Sequence, residues 1–230
     1  MLTLVLLPGM DGTGQLFDSF VAAVGPEFGV KVIAYPTGEP LGYTELAELA
    51  RAALPVDGSY VILGESFSGP VAIALAATGL PRLKGLVLCC SFVRNPRPMF
   101  SGMGAFASWL PVGSVPGAIL SPLLLGHFST KALRAGLARA LAVVSPSVLR
   151  ARLKAVLTVD MSAQLAAVKV PVLYLRASHD RLVPSAASAT VAELNTHTRV
   201  VEVQGPHLLL QAAPAEAAEA VRALLREIQD

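Results

Sequence analysis

The chain has 230 residues, of which 53% are hydrophobic and 15% charged, and its formal net charge is +2. This length fits one domain with a full hydrophobic core. The small net charge and the scattered basic residues argue against nucleic acid as a partner.

Six short apolar runs predict β-strands. In chain order they are TLVLLPG, VKVIAYP, SYVILG, LKGLVLCCS, VPVLYLRAS and TRVVEVQG. They are continuously apolar instead of alternating with polar residues, which is typical of a parallel sheet covered by helices on both faces. Segments with helical periodicity separate the runs, and they predict helices over 16–24, 43–54, 70–78, 184–194 and 214–228. The alternation of strand and helix predicts an α/β fold in a single domain, 1–230, with a six-stranded, mainly parallel sheet flanked by helices.

About eighty residues without a strand signal separate the fourth run from the fifth, far more than an ordinary connection. They predict a helical lid inserted after the fourth strand, at about 93–165. Its first part, Pro98 to Thr130, is uncharged and interrupted repeatedly by proline and glycine, so an apolar lid is favoured over a membrane-spanning helix. The runs KALRAGLARALAVV and PSVLRARLKAVLTV then predict two helices.

Cys89 and Cys90 are adjacent and are interpreted as small buried hydrophobes in a reducing compartment. No metal site is predicted, because the cysteines and the four histidines lack the spacing of metal ligands. The first apolar run has no basic residue before it and is short for a secretory signal peptide. A cytoplasmic location is therefore expected.

Polar residues that can carry chemistry follow several of the predicted strands. Ser66 follows the third strand, Asp180 the fifth with His179 before it, and His207 the sixth. Ligands of open α/β sheets bind beyond the carboxyl ends of the strands. A serine, an acid and a histidine are therefore expected to meet at one edge of the sheet.

The run GESFSG, residues 64–69, places Ser66 between a buried strand and a helix. Small neighbours permit the strained backbone that exposes a serine side chain at such a junction. The amide of Phe67 and the helix N-terminus would then lie where an oxyanion forms. A serine hydroxyl becomes a nucleophile when a neutral histidine takes its proton and a carboxylate orients that histidine.

With these motifs the chain resembles the α/β-hydrolase family. The resemblance runs from PGMDGTG through GESFSG to DRLVP and PHLLLQAAP, and within the family it is nearest to the small BioH-like carboxylesterases and thioesterases. It implies that Ser66 is the nucleophile, Asp180 the acid and His207 the base. It also implies that the backbone amides of Met10 and Phe67 form the oxyanion hole, and that the sheet lacks the antiparallel strand with which the family's sheet begins.

Some residues depart from the family pattern or compete with these assignments. Ser68 stands where the pattern G-x-S-x-G has its second glycine, Pro8 replaces a common histidine, and Pro206 replaces a common glycine. Asp160 is a competing acid, although it precedes the fifth strand. Three other histidines compete with His207: His127 in the predicted lid, His179 beside Asp180, and His197 before the sixth strand.

The resemblance implies a serine hydrolase that cleaves carboxylic esters through an acyl-enzyme, without metal or organic cofactor. The apolar lid predicts an apolar acyl group, bound in part by Phe100, Phe106 and Trp109. The alternatives are a thioesterase acting on acyl-CoA or acyl-carrier-protein, an acyltransferase or perhydrolase, and a non-catalytic binding protein. In each enzymatic case the partner is a small-molecule acyl ester or thioester.

Overall fold

The structure is a computed structural model that describes residues 1–99 and 117–229. In this part of the chain six strands form one sheet: β1 (Thr3–Leu7), β2 (Gly29–Val32), β3 (Tyr60–Glu65), β4 (Leu83–Cys89), β5 (Val172–Ala177) and β6 (Thr198–Val203). All neighbouring strands are parallel, and their order is β2-β1-β3-β4-β5-β6. The predicted α/β class and the predicted parallel sheet are confirmed.

Ten α-helices accompany these strands in the described residues: α1 (Asp18–Val24), α2 (Tyr43–Ala52), α3 (Gly69–Ala76), α4 (Gly117–Leu124), α5 (Lys131–Ala142), α6 (Pro146–Thr158), α7 (Ser162–Ala167), α8 (Ala186–Leu194), α9 (Leu209–Ala212) and α10 (Pro214–Gln229). Helices α2, α3, α7 and α8 cover one face of the sheet, and α1, α9 and α10 cover the other. The predicted helices of the sheet-bearing part are therefore present, with ends that differ by a few residues.

Two apolar clusters, one on each face of the sheet, form the core. Strand β3 is buried at every residue, and its side chains alternate between the clusters, with Ile62 in one and Leu63 in the other. Burying each such side chain stabilises the fold by about 1.5–3 kcal/mol. Helix α10 contributes the spaced apolar residues Val221, Leu224 and Leu225 to the second cluster, which explains its amphipathic sequence.

The two edge strands differ from the expected pattern of strands buried on both faces. Every residue of β2 is half-buried or exposed, and in β6 only Val203 is fully buried. The outward residues of β6 form surface ion pairs, Arg199 with Glu227 and Glu202 with Arg176, at 2.8 Å in each case. An edge strand has one neighbouring strand instead of two, so an apolar run at the edge is only partly covered.

The segment between β4 and β5 contains helices α4 to α7. Thr130 is the N-cap of helix α5, and its side chain accepts the amide of Leu133; Ser145 is the N-cap of α6, and its side chain accepts the amide of Val148. Among the described residues no single helix is long and apolar enough to cross a membrane; α5 and α6 reach that length only together, across a bend of 101°. The action of this segment as a lid stays a prediction.

Candidate active site

Three side chains from separate strand ends lie in one hydrogen-bonded row. Ser66 Oγ lies 2.8 Å from His207 Nε2, and His207 Nδ1 lies 2.8 Å from Asp180 Oδ2. The His207 and Asp180 side chains are only 4% and 5% exposed. In the neutral imidazole with hydrogen on Nδ1, His207 donates to the carboxylate and accepts the Ser66 hydroxyl, which is the arrangement needed for proton transfer from serine.

The loop after β5 fixes the Asp180 carboxylate. Its Oδ1 accepts the amides of Leu182 and Val183 at 2.8 and 2.9 Å, which leaves Oδ2 for His207. Two backbone donors hold the carboxylate in one orientation. The loop after β5 therefore holds the Asp180 side chain through hydrogen bonds that do not involve His207.

Ser66 sits in a strained turn between β3 and α3. Its φ is +48°, in the left-handed region that side-chain-bearing residues rarely adopt. The flanking glycines permit the close packing around it: a Cβ at Gly64 would lie 2.6 Å from the Ser68 carbonyl oxygen, and one at Gly69 would lie 1.8 Å from Ser91 Oγ. The strained backbone expected from the sequence is therefore present at this position.

Ser68, the departure from the family pattern, has its own hydrogen bonds. Its buried hydroxyl donates to the Pro8 carbonyl and lies 2.7 Å from the Tyr35 hydroxyl. Ser91 supports the same turn, because its hydroxyl donates to the Ser66 carbonyl oxygen at 2.6 Å. The turn is thus joined by side chains to the loop after β1 and to the end of β4.

The loop after β1 carries Met10, which lines the same cavity as Ser66 and Phe67. Asp11 stabilises the loop by accepting the Thr13 amide at 2.8 Å, a turn of the kind expected for this residue. The roles of the Met10 and Phe67 amides as oxyanion donors stay predictions.

Arg152 of helix α6 reaches this loop from the inserted segment. Its guanidinium is buried, with 1% of the residue exposed, and it donates to the carbonyl oxygens of Met10, Asp11 and Pro36 at 2.8, 2.9 and 3.0 Å. Burial lowers the pKa of Arg152, and the nearby Asp11 carboxylate opposes that effect. Arg152 is not among the residues predicted from the sequence. Its spacing from Val148 and Leu149, the buried residues of α6, was the available signal.

Glu65, the residue before Ser66, lies on the inner side of the site. It is 2% exposed, its Oε1 accepts Gln211 Nε2 at 2.9 Å, and its carboxyl accepts the Gly9 amide. Burial raises the pKa of Glu65 to about 7; the Gln211 hydrogen bond opposes this, and the Asp11 charge adds to it. Glu65 therefore links the strand that carries Ser66 to the loop before Met10 and to helix α9.

A cavity of about 560 Å³ opens beside Ser66 and His207. Its wall is mostly apolar and comes in large part from the inserted segment and the loop after Asp180, with lining residues Phe92, Leu123, Leu153, Val156, Leu157, Leu182 and Val183. The predicted substrate-binding residues Phe100, Phe106 and Trp109 lie outside the described residues. An apolar cavity of this size fits a medium-length acyl chain.

The competing residues lie away from this row. Asp160 is paired with Arg94 at 3.8 Å and accepts the Ser162 amide, and its side chain is 62% exposed. His179 packs against the rings of His127 and Phe128, at 5.0 and 5.5 Å between centroids. None of these side chains is hydrogen-bonded to Ser66 in the described part of the chain.

Comparison with known proteins gives a family match and several structural neighbours. The family model described as "Alpha/beta hydrolase family" matches residues 4–220. A search of the curated proteins gave no sequence match. An esterase from Thermogutta terrifontis is similar in structure with a TM-score of 0.86, at 20% identity over 100% of this chain and 91% of that chain.

Two other neighbours carry different activities in their names. The enol-lactonase from Burkholderia xenovorans has a TM-score of 0.76 at 19% identity, over 99% of this chain and 90% of its own. The bromoperoxidase from Bacillus anthracis has a TM-score of 0.75 at 16% identity, over 97% and 91%. At these identities the likeness concerns the fold alone, so any choice among reactions has to come from the site itself.

Proposed function

The chain belongs to the α/β-hydrolase family, and we propose that it is a serine hydrolase that cleaves carboxylic esters with an apolar acyl group. The observation that carries the proposal is the row of hydrogen bonds from Ser66 through His207 to Asp180 at the edge of an apolar cavity. A non-catalytic binding protein would need the cavity, but it would have no physical need for the hydrogen bonds that join Ser66, His207 and Asp180.

In the proposed reaction Ser66 Oγ attacks the acyl carbonyl carbon while His207 Nε2 takes the hydroxyl proton. Asp180 holds the Nδ1 hydrogen and stabilises the imidazolium that forms. The Met10 and Phe67 amides donate to the tetrahedral oxyanion. His207 then gives its proton to the leaving alcohol as the carbon–oxygen bond breaks, and a water molecule repeats the sequence on the acyl-enzyme, which releases the acid and regenerates Ser66.

The cavity supports an apolar acyl group as the recognised part of the substrate. Aliphatic side chains of helix α6, Leu153, Val156 and Leu157, form part of its wall. Each methylene of an acyl chain transferred from water to such a wall contributes about 0.8 kcal/mol. We expect kcat/KM for p-nitrophenyl esters to rise from acetate to octanoate, and a preference for acetate and polar acyl groups would contradict this part of the proposal.

The decisive variant is Ser66→Ala. We expect it to lose p-nitrophenyl ester hydrolysis by a factor on the order of 10⁴ or more, and to lose covalent labelling by a fluorophosphonate probe, with an unchanged circular dichroism spectrum. Ser147→Ala, which removes an exposed hydroxyl on α6, is the matched control and should keep full activity. Undiminished turnover by Ser66→Ala would end the assignment.

A further inference from the structure

The charges of this chain are distributed unevenly along it. Between Ser66 and Val159 the sequence contains ten lysines and arginines and no aspartate or glutamate. The remainder contains eight basic and sixteen acidic residues. The part between Ser66 and Val159, which forms much of the wall of the cavity beside Ser66 (the acyl cavity), thus carries basic side chains and no acidic ones, and basic side chains beside a binding cavity attract anionic ligands.

A second cavity adjoins the first on this cationic side. It has a volume of about 280 Å³ and is lined by Ser121, Pro122, Gly126, Ser129, Arg134 and Arg181. Arg181 lines both cavities, and Leu123, the residue after Pro122, lines the acyl cavity. The two cavities are therefore neighbours, within reach of one extended substrate. We call the second one the basic cavity.

The basic cavity offers several hydrogen-bond donors, and no carboxylate is among its lining residues. Arg134 donates to Ser129 Oγ at 2.9 Å, and Arg181 donates to the Pro122 carbonyl oxygen at 3.1 Å. Ser121 is buried, with its Oγ 3.4 Å from Ser129 Oγ. A guanidinium has five N–H donors, so each of these contacts leaves donors for a ligand.

No carboxylate neutralises these two arginines in the described part of the chain: neither Arg134 nor Arg181 is in an ion pair there. Residues 100–116 contain no acidic residue either. Arg134 also follows the start of α5, whose first turn carries Lys131 and no acid, although a helix N-terminus favours negative charge. An anion in the basic cavity would balance the charge of the two arginines and would supply the negative charge that the first turn of α5 lacks.

We propose that the basic cavity binds a phosphate group of the substrate, which makes phosphate-bearing acyl esters and thioesters the preferred substrates. This inference rests on the proposed hydrolase function. Two guanidinium groups and two hydroxyls match the oxygens of a phosphate, whose charge-assisted hydrogen bonds with arginine are among the strongest in proteins. The acyl chain occupies the apolar cavity while Arg181, at the boundary, contacts the phosphate.

The test compares substrates that differ only in phosphate. Octanoyl-CoA is measured against the octanoyl thioester of N-acetylcysteamine, and 1-octanoylglycerol 3-phosphate against 1-octanoylglycerol. In at least one pair we expect the phosphate-bearing member to have a KM lower by about tenfold or more. A preference in the first pair identifies a nucleotide thioester, and one in the second pair a phosphorylated oxyester.

Arg134→Met should raise KM for the preferred phosphate-bearing substrate about tenfold and leave KM for the neutral partner unchanged. Arg181 also lines the acyl cavity, so Arg181→Met should raise KM for the phosphate-bearing substrate by a larger factor than KM for the neutral partner. Arg139→Met is the matched control, since it removes an exposed charge from the same helix away from the basic cavity. Equal KM values within both pairs would overturn the inference, and so would an equal effect of Arg139→Met, because it would indicate general attraction instead of a site.

The proposed hydrolase function is tested separately from the phosphate site. Neutral octanoyl esters and the fluorophosphonate probe require Ser66 but not the basic cavity. If they react in a Ser66-dependent manner while the arginine variants show no phosphate effect, only the phosphate site is excluded. If neither reacts, the serine hydrolase assignment itself is excluded.

Discussion

The sheet-bearing body and the inserted segment build one site in different ways. In the body, two of the proposed catalytic side chains are fixed by groups near their own strand ends: the turn at Ser66 by flanking glycines, and Asp180 by the amides of its own loop. In the insert, helix α6 acts through a contact between distant parts of the chain, Arg152 with the loop that carries Met10. Local geometry can be inferred from sequence motifs, whereas a contact of that second kind requires the fold to be known.

The largest effect expected for the body is that of Asp180→Asn. The amide cannot hold the Nδ1 hydrogen of His207 in the same way, so the imidazole loses the tautomer that accepts the Ser66 proton. We expect kcat for p-nitrophenyl octanoate to fall by about 10⁴-fold with little change in KM. Asp160→Asn, at the exposed acid that competes for this role in the sequence, should keep nearly full activity. If Asp160→Asn were the inactive variant, the choice of acid would be wrong.

The sequence was sufficient for the parallel α/β sheet and for the junction at Ser66 because both depend on local patterns. Continuous apolar runs indicate strands, and small residues around a serine after a strand indicate a tight turn. The positions of Asp180 and His207 followed from a general rule about strand ends, which is also why their proximity could be expected.

Other features depend on partners far along the chain and gave no local signal. Ser91 supports the turn at Ser66 across 25 residues, and Gln211 meets Glu65 across 146. The role of Glu65 could not be predicted, because its burial and partners follow from the packing of strand β3 against the loop before Met10 and helix α9. Strand β2 is partly exposed because it lies at the edge of the sheet. Its apolar sequence does not indicate where it lies in the strand order.

Glu65→Gln tests the body through its stability. Burial raises the pKa of Glu65 from its usual 4.5 to about 7, so the folded protein keeps this proton over a pH range in which the unfolded chain has lost it. The stability contribution of this group is therefore full below pH 4.5, falls as the pH rises to about 7, and is constant above that. Gln does not titrate, so the variant should gain about 3 kcal/mol relative to the wild type between pH 4.5 and 8.

The measurement for Glu65 is urea unfolding of both proteins across this pH range, with the free energies subtracted so that other titrating groups cancel. Glu48→Gln, at an exposed position on α2, is the matched control for the loss of a carboxylate. A flat difference for Glu65→Gln would mean that the carboxyl is charged in the folded protein at pH 5–7, and the link between strand β3, the loop before Met10 and helix α9 would then contain an ionised group.

The smallest of these effects is expected at Arg152, and it decides whether the insert takes part in catalysis. Arg152→Met leaves the carbonyl oxygens of Met10, Asp11 and Pro36 without their donor, so the loop can turn the Met10 amide away from the oxyanion. Removing an oxyanion donor costs about 10²–10³-fold in kcat, and displacing one costs less, so we expect a fall in kcat of about tenfold to fiftyfold with KM unchanged within about threefold.

Arg152→Lys separates positioning from stability, because an ammonium can replace one of the three hydrogen bonds and keeps the charge. It should recover part of the lost kcat, while Arg150→Met on the same helix should leave kcat unchanged. A fall in unfolding free energy with no change in kcat for either Arg152 variant would contradict the positioning role. The contact between Arg152 and the loop that carries Met10 would then stabilise the fold without orienting the Met10 amide. The difference between the sheet-bearing body and the inserted segment would then be one of architecture alone.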